Sequence, residues 1–139
     1  MPNVVSCLLL YEEKLLLLKR SRKVKTYKGW WGAIAGYINP DEEPYIRALK
    51  EIKEETGINP DQVELIRIGE PVKVEDTYEN QLYEWVIHPF MFKLRKKHKI
   101  NIDWEHTEYR WIKPSDINRY RTVPYLKEIV QSMINVNTK

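Results

Sequence analysis

At 139 residues the chain is long enough to bury a core without disulfide or metal staples, and short enough to read as one domain over residues 1–139. With 42% hydrophobic and 31% charged residues, no low-complexity tract and no apolar run of spanning length, it reads as a soluble globular protein with no membrane partner. A net charge of +3 tolerates anionic small molecules but is too small to mark a nucleic-acid partner, and the lone Cys7 excludes an internal disulfide and a cysteine-rich zinc site, as expected of a reducing cytoplasm.

Val4–Tyr11 and Lys14–Lys19 are apolar runs joined by Glu12-Glu13 and predict a hairpin, with Cys7 a buried thiol in its first strand. Ser21–Lys28 is a basic loop, and Trp30–Ile38 predicts a strand entering a turn at Gly36. Pro44 suits the first turn of a helix, where its missing N–H costs nothing, and Asp41, Glu42 and Glu43 complement the positive end of that helix. Tyr45, Ile46, Leu49 and Ile52 are expected to form its apolar face, with the carboxylates opposite, and Gly57 to end it in a left-handed conformation. Strands are expected at Val63–Ile68 and Pro71–Glu75, then a polar loop Asp76–Gln81. Leu82–Leu94 reads as a long strand in which Pro89 marks an edge or a bulge. Arg95–Lys99 is a solvated basic turn, Ile100–Trp104 and Tyr109–Ile112 are short strands, and Pro114–Asn118 is a helical turn. Val123–Ile134 closes the chain as an amphipathic helix with Tyr125, Leu126, Ile129, Val130, Met133 and Ile134 on its apolar side. This order predicts an α/β fold with a mixed sheet packed by helices.

Within the first helix Glu51, Glu54 and Glu55 stand at i, i+3 and i+4, so their carboxylates share one face. Three anions there repel one another, and a hard divalent cation such as Mg²⁺ resolves the conflict while bringing substrate phosphates with it. The surrounding stretch, Gly36-x5-Glu42-x7-Lys50-Glu51-Ile52-x-Glu54-Glu55-x-Gly57-Ile58, resembles the Nudix box G-x5-E-x7-R-E-U-x-E-E-x-G-U, where U is a bulky apolar residue. Eight of the nine defined positions agree, and Lys50 stands in place of the arginine.

The resemblance implies a Nudix-type α/β/α sandwich and a pyrophosphohydrolase that uses Mg²⁺ or Mn²⁺ to cleave a phosphoanhydride in a nucleotide-type small molecule. It assigns metal binding to Glu51, Glu54, Glu55 and the Gly36 carbonyl, and it places a proton-accepting carboxylate either in the box or on a later loop. Glu105 and Glu108 precede Trp111 in the arrangement that such loops show, and Glu105 is the preferred base or extra ligand because it lies off the strand. Glu42 is expected to anchor the box loop or to pair with Lys50, whose single-point ammonium holds a carboxylate less rigidly than arginine's fork. Arg47, one turn before Glu51, is expected either to support the cluster or to make an ordinary solvated pair. "EWVIHPFMF" and "IDWEHTEYRWI" resemble segments of a Nudix group found fused to sugar-phosphate isomerase-like domains.

Tyr27 and Trp30 are candidates for stacking a nucleobase, and Arg20, with Arg22 and Lys28, for meeting phosphates; a packed aromatic pair beside a solvated loop is the competing reading. Trp31 and Trp85 are expected in the core. His88 reads as a satisfied edge residue and His98 as a surface one, while His106, beside Glu105, is the histidine placed for a site role. Two other functions compete: a Nudix-fold nucleotide-binding module without catalysis, and an isopentenyl-diphosphate isomerase-like enzyme. The latter needs a cysteine just before the box, and Cys7 lies far upstream. Pro71 and Tyr78 fall out of register with the markers of ADP-ribose pyrophosphatases and dinucleoside polyphosphate hydrolases, which leaves those substrates and nucleoside triphosphates open.

Overall fold

The structure, a computed structural model, describes residues 1–134. In chain order its strands are β1 (Asn3–Tyr11), β2 (Lys14–Arg20), β3 (Trp31–Gly32), β4 (Ile34–Tyr37), β5 (Val63–Ile68), β6 (Val72–Tyr78), β7 (Gln81–Leu94) and β8 (His106–Ile112). Helix α1 (Pro44–Thr56) follows β4 and α2 (Leu126–Ile134) follows β8. All the strands belong to one mixed sheet: β1 runs parallel to β7, and every other pairing is antiparallel.

β1 and β2 are buried on both faces, which is why they read as continuous apolar runs and not as alternating ones. Val5, Cys7, Leu9, Leu16 and Leu18 face α1 and meet Ala48 and Ile52. Leu8, Leu15 and Leu17 point the other way and meet Leu126, Ile129, Val130 and Met133 of α2. The period-two alternation of a strand thus feeds two cores from the same leucines, and the expected α/β/α sandwich results. No helix among the described residues is long and apolar enough to cross a membrane.

The hairpin, β5 and the ends of α1 lie where the sequence places them. Glu12 and Glu13 turn the hairpin with φ of 48° and 66°, and Gly57 ends α1 at φ 81°. Elsewhere tertiary contacts override the local pattern. The expected strand Trp30–Ile38 breaks at Ala33, because β3 pairs with β2 whereas β4 pairs with β1. The expected loop after Glu75 is strand up to Tyr78, followed by a tight Glu79-Asn80 turn. Ile100–Trp104 forms no strand: Ile100 plugs the core below α1, and the Asn101 N–H bonds to the carbonyl of Thr56. Tyr125 has φ 70° and is substantially exposed, so α2 begins at Leu126, three residues after the expected start at Val123. Pro89 is neither at an edge nor in its own bulge. Its carbonyl accepts the Gly69 N–H at 2.9 Å, so its nitrogen faces the passage from β5 to β6, where the ladder needs no donor.

The apolar face expected for α1 is also corrected. The buried residues are Ala48, Glu51, Ile52, Glu55 and Thr56, a regular i, i+3, i+4, i+7, i+8 stripe, whereas Tyr45 and Ile46 stay substantially exposed. The small Ala48 lets the helix approach β1 closely, with Cys7 Sγ 3.9 Å from its carbonyl oxygen. Two of the three carboxylates are therefore pressed toward the sheet.

Candidate active site

β4 runs beside this buried stripe. Gly36 lies so close to Glu51 that a Cβ at that position would overlap the carboxylate, which is the physical requirement for glycine there. Glu55 is only 1% exposed; its Oε1 accepts the Ala35 N–H at 3.4 Å, and its Oε2 is buried with no protein partner. Burial, and then the adjacent Glu51, push the Glu55 carboxyl well above the usual carboxylate range. Glu54, the third member, is more than half exposed.

Arg47 organises the cluster. Its Nε and Nη2 donate to the two oxygens of Glu42 at 2.8 and 2.9 Å, and its Nη1 donates to Glu51 Oε2 at 3.0 Å and lies 3.6 Å from Glu54 Oε2. The guanidinium contact, supported by the Asn39 N–H and by Lys50, holds the Glu42 carboxyl down at about 2. Lys50 touches Glu42 alone, at 3.2 Å, from a side chain that is 56% exposed. The expected Lys50–Glu42 pair is therefore present, but the two-donor fork comes from Arg47 one turn earlier, which is not a solvated surface cation. A single exposed pair of this kind is worth little. Lys50→Met is accordingly expected to change Mn²⁺ affinity, measured by titration calorimetry, by less than about threefold.

On the opposite side, Glu105 borders a cavity of about 300 Å³ that also reaches Gly36, Ala35 and Arg20. Burial and the nearby Asp103 and Glu51 push the Glu105 carboxyl up. Glu108, the alternative, is engaged on the surface by Arg110 at 3.2 Å and Lys19 at 3.7 Å. His106 is buried against Glu55, its Nε2 3.8 Å from Oε1, and burial lowers its pKa against the opposing pull of Asp103. Arg20 donates from Nε and Nη2 to the Thr26 carbonyl and hydroxyl and turns toward the cavity, which Lys25 also borders; Arg22 and Lys28 do not. Cys7 is buried beside Glu55 and Glu51, and desolvation first, then those charges, push its thiol up, which leaves no thiolate for isomerase-type chemistry.

The aromatic residues fall out differently from the expectation. Tyr27 does line the cavity, but as a packed wall: it is 4% exposed and its hydroxyl donates to Asp76 Oδ2 at 2.6 Å. Trp30 is not among the cavity walls; it lies between Tyr27, 4.9 Å away, and the Arg121 guanidinium at 4.1 Å. Trp31 is in the core as expected, and Trp85 is half-buried: it packs against the core on the α2 side and, with Tyr83, also lines the cavity. Tyr83, Trp85 and Ile87 alternate along β7, so their shared face was readable once that face was known to look toward α2.

A NUDIX domain profile matches residues 1–133. The chain belongs to the Nudix family. It is 26% identical over 120 residues to an RNA pyrophosphohydrolase of Roseobacter denitrificans, a match that covers 76% of this chain and 72% of that one. Its fold is similar to that of the MutT protein of Methanosarcina mazei Go1, with 25% identity, a TM-score of 0.79 and coverage of 99% and 96% of the two chains. It is also similar to an Ap4A hydrolase of C. elegans, with 17% identity, a TM-score of 0.78 and coverage of 94% and 93%. As a Nudix chain it is a pyrophosphohydrolase acting on phosphoric anhydrides, and enzymes of this family generally work with a divalent cation.

The residues present fit such a cation. The Nudix glutamates offer hard oxygen donors, one of which is buried without a partner. Among the described residues no three His, Cys, Asp or Glu side chains already converge into a cage.

Proposed function

We propose that this chain is a metal-dependent Nudix pyrophosphohydrolase that hydrolyses a phosphoanhydride in a nucleoside diphosphate linked to another moiety. The observation that carries this reading is the orphaned Glu55 oxygen, on a side chain buried against Glu51 and Ala35, behind the Ala35–Gly36 backbone that lines a cavity sized for a small ligand. Glu51, Glu54, Glu55 and the Gly36 carbonyl would hold Mg²⁺ or Mn²⁺, which when bound neutralises the diphosphate and acidifies the attacking water. Glu105 takes the proton of that water, Arg20 faces the phosphates, and Tyr83 and Trp85 flank the base, with Tyr27 packed behind them. The cavity borders Glu105 and Gly36 as well as these rings, so a nucleotide bound in it would reach from the stacking wall toward the box carboxylates behind Gly36.

A panel of nucleoside triphosphates, ADP-ribose, a dinucleoside tetraphosphate and a 5′-triphosphorylated RNA oligonucleotide, with products identified by mass, tests the reading. The RNA is included because a relative is an RNA pyrophosphohydrolase. A Mg²⁺- or Mn²⁺-dependent split of one anhydride is expected; tight binding of metal and nucleotide with no product would make the chain a binding module. With the substrate in hand, Glu105→Gln is expected to lower kcat with little change in KM and to remove the acidic limb of the pH–rate profile, because the base works only when deprotonated. Full kcat at acidic pH in that variant would move the base into the box helix.

A further inference from the structure

β8 pairs with β2 in regular register from Ile112 opposite Leu15 to Glu108 opposite Lys19, then slips so that His106 stands opposite Arg20 and Thr107 is left over. A bulge of this kind re-aims a side chain. Here it turns the His106 ring inward, where the side chain is only 6% exposed. Asp103 holds the ring from one side: its Oδ1 accepts from Nδ1 at 2.9 Å and also from the Glu105 backbone N–H at 3.3 Å. The His106 N–H adds a bond to the Asp103 carbonyl at 3.1 Å, and the Glu105 carbonyl is tied to the Ser21 N–H at 2.7 Å. An ionised carboxylate only accepts, so Asp103 locks both the tautomer and the plane of the ring. The far edge of that ring rests on Glu55 Oε1, the oxygen that also accepts the Ala35 N–H, with Nε2 3.8 Å away, a packing contact too long to be a hydrogen bond.

We infer that Asp103 and His106 are a positioning pair that fixes Glu55 on α1 and Glu105 on the loop relative to each other. One carboxylate, that of Asp103, sets the Glu105 backbone and the imidazole together, and the imidazole limits how far Glu55 can rotate. The pair touches neither substrate nor reacting atoms; it acts through the two glutamates, as outer groups do around metal-ligating carboxylates. This inference rests on the proposed cation site at Glu51, Glu54 and Glu55.

Side-chain isosteres separate the two ends of the device. His106→Asn keeps a donor near the Nδ1 position for Asp103 but removes the edge that meets Glu55, and His106→Gln does the reverse. Asp103→Asn keeps an oxygen acceptor, and Asp103→Leu removes it. Mn²⁺ titration calorimetry, melting temperature and steady-state kinetics are measured on each variant of the full chain. His106→Asn is expected to weaken Mn²⁺ binding by about tenfold, while His106→Gln recovers part of that loss. Asp103→Leu should lower kcat more than it changes KM, and Asp103→Asn should restore most of it. Melting temperatures that fall alike in both His106 variants, with Mn²⁺ affinity and kcat at wild-type values, overturn the inference and leave His106 a packing residue. Mn²⁺ binding that is insensitive even to Glu55→Gln overturns the cation site itself, and this inference with it.

Discussion

Glu55→Gln is expected to lower kcat by about 10²-fold or more while raising the melting temperature of the metal-free protein by about 5 °C. Both effects come from one buried oxygen. Oε2 is buried with no protein donor, and the carboxyl is held above its ordinary pKa by burial and by Glu51. An amide keeps the shape and removes the charge, so the side chain becomes less costly to bury. The same amide is a poor ligand for a hard cation, so the rate falls. The pH dependence has a definite sign. The folded state binds the Glu55 proton at a higher pH than the unfolded chain does. Metal-free stability therefore rises as the pH is lowered from above the folded pKa toward the unfolded value. Melting curves of the metal-free protein between neutral and mildly acidic pH should show that rise in the wild type and a diminished one in Glu55→Gln. A variant that melts lower than wild type at neutral pH would show that Glu55 is paired after all.

Arg47→Met is expected to produce the opposite pattern, with both stability and metal affinity lost. The guanidinium forks onto both oxygens of Glu42 and reaches Glu51, and all three side chains are at most 14% exposed. Removing it leaves two largely buried carboxylates with only Lys50 and the Asn39 N–H as partners for Glu42, and with no cation beside Glu51. A drop in melting temperature of about 5–10 °C and a loss of Mn²⁺ affinity of about tenfold are expected. Glu42 adds a signature of its own. Its folded pKa of about 2 lies below the unfolded value, so its contribution is fully present above the unfolded pKa and is lost as the pH falls toward 2. Arg47→Met should flatten that part of the acid-unfolding profile, and Lys50→Met should leave it nearly intact. Equal effects from the two substitutions would show that Lys50 carries the role assigned here to Arg47.

The hairpin and α1 with its proline start and glycine stop were readable in the chain because each has a local cause, whereas the α/β/α sandwich followed from the resemblance to the Nudix box. Leucine runs buried on both faces, a missing N–H in a first turn and a left-handed glycine act within a few residues. The box carboxylates were legible for the same reason. What escaped local reading was decided by distant contacts. Ala48 pressing on β1 determines which stripe of α1 is buried, and so turns Glu51 and Glu55 inward, away from the solvent-facing side expected for them. Trp85 borders the cavity as well as the core because β7 presents Tyr83 and Trp85 near the chain segment that leads into α2, and no property of β7 alone reveals that. The bulge at Thr107 is invisible in a short polar segment, yet it is what brings His106 against Glu55.

Hydrolysis of the best panel substrate in ¹⁸O-labelled water at rising free Mg²⁺, for wild type and Glu55→Gln side by side, bears most directly on the carboxylate cluster. The expected result is one labelled phosphate-containing product, formed by the wild type at a rate that saturates with Mg²⁺ and by the variant at least about 10²-fold more slowly. A rate independent of Mg²⁺, or a well-folded Glu55→Gln protein that turns over like wild type, would contradict it.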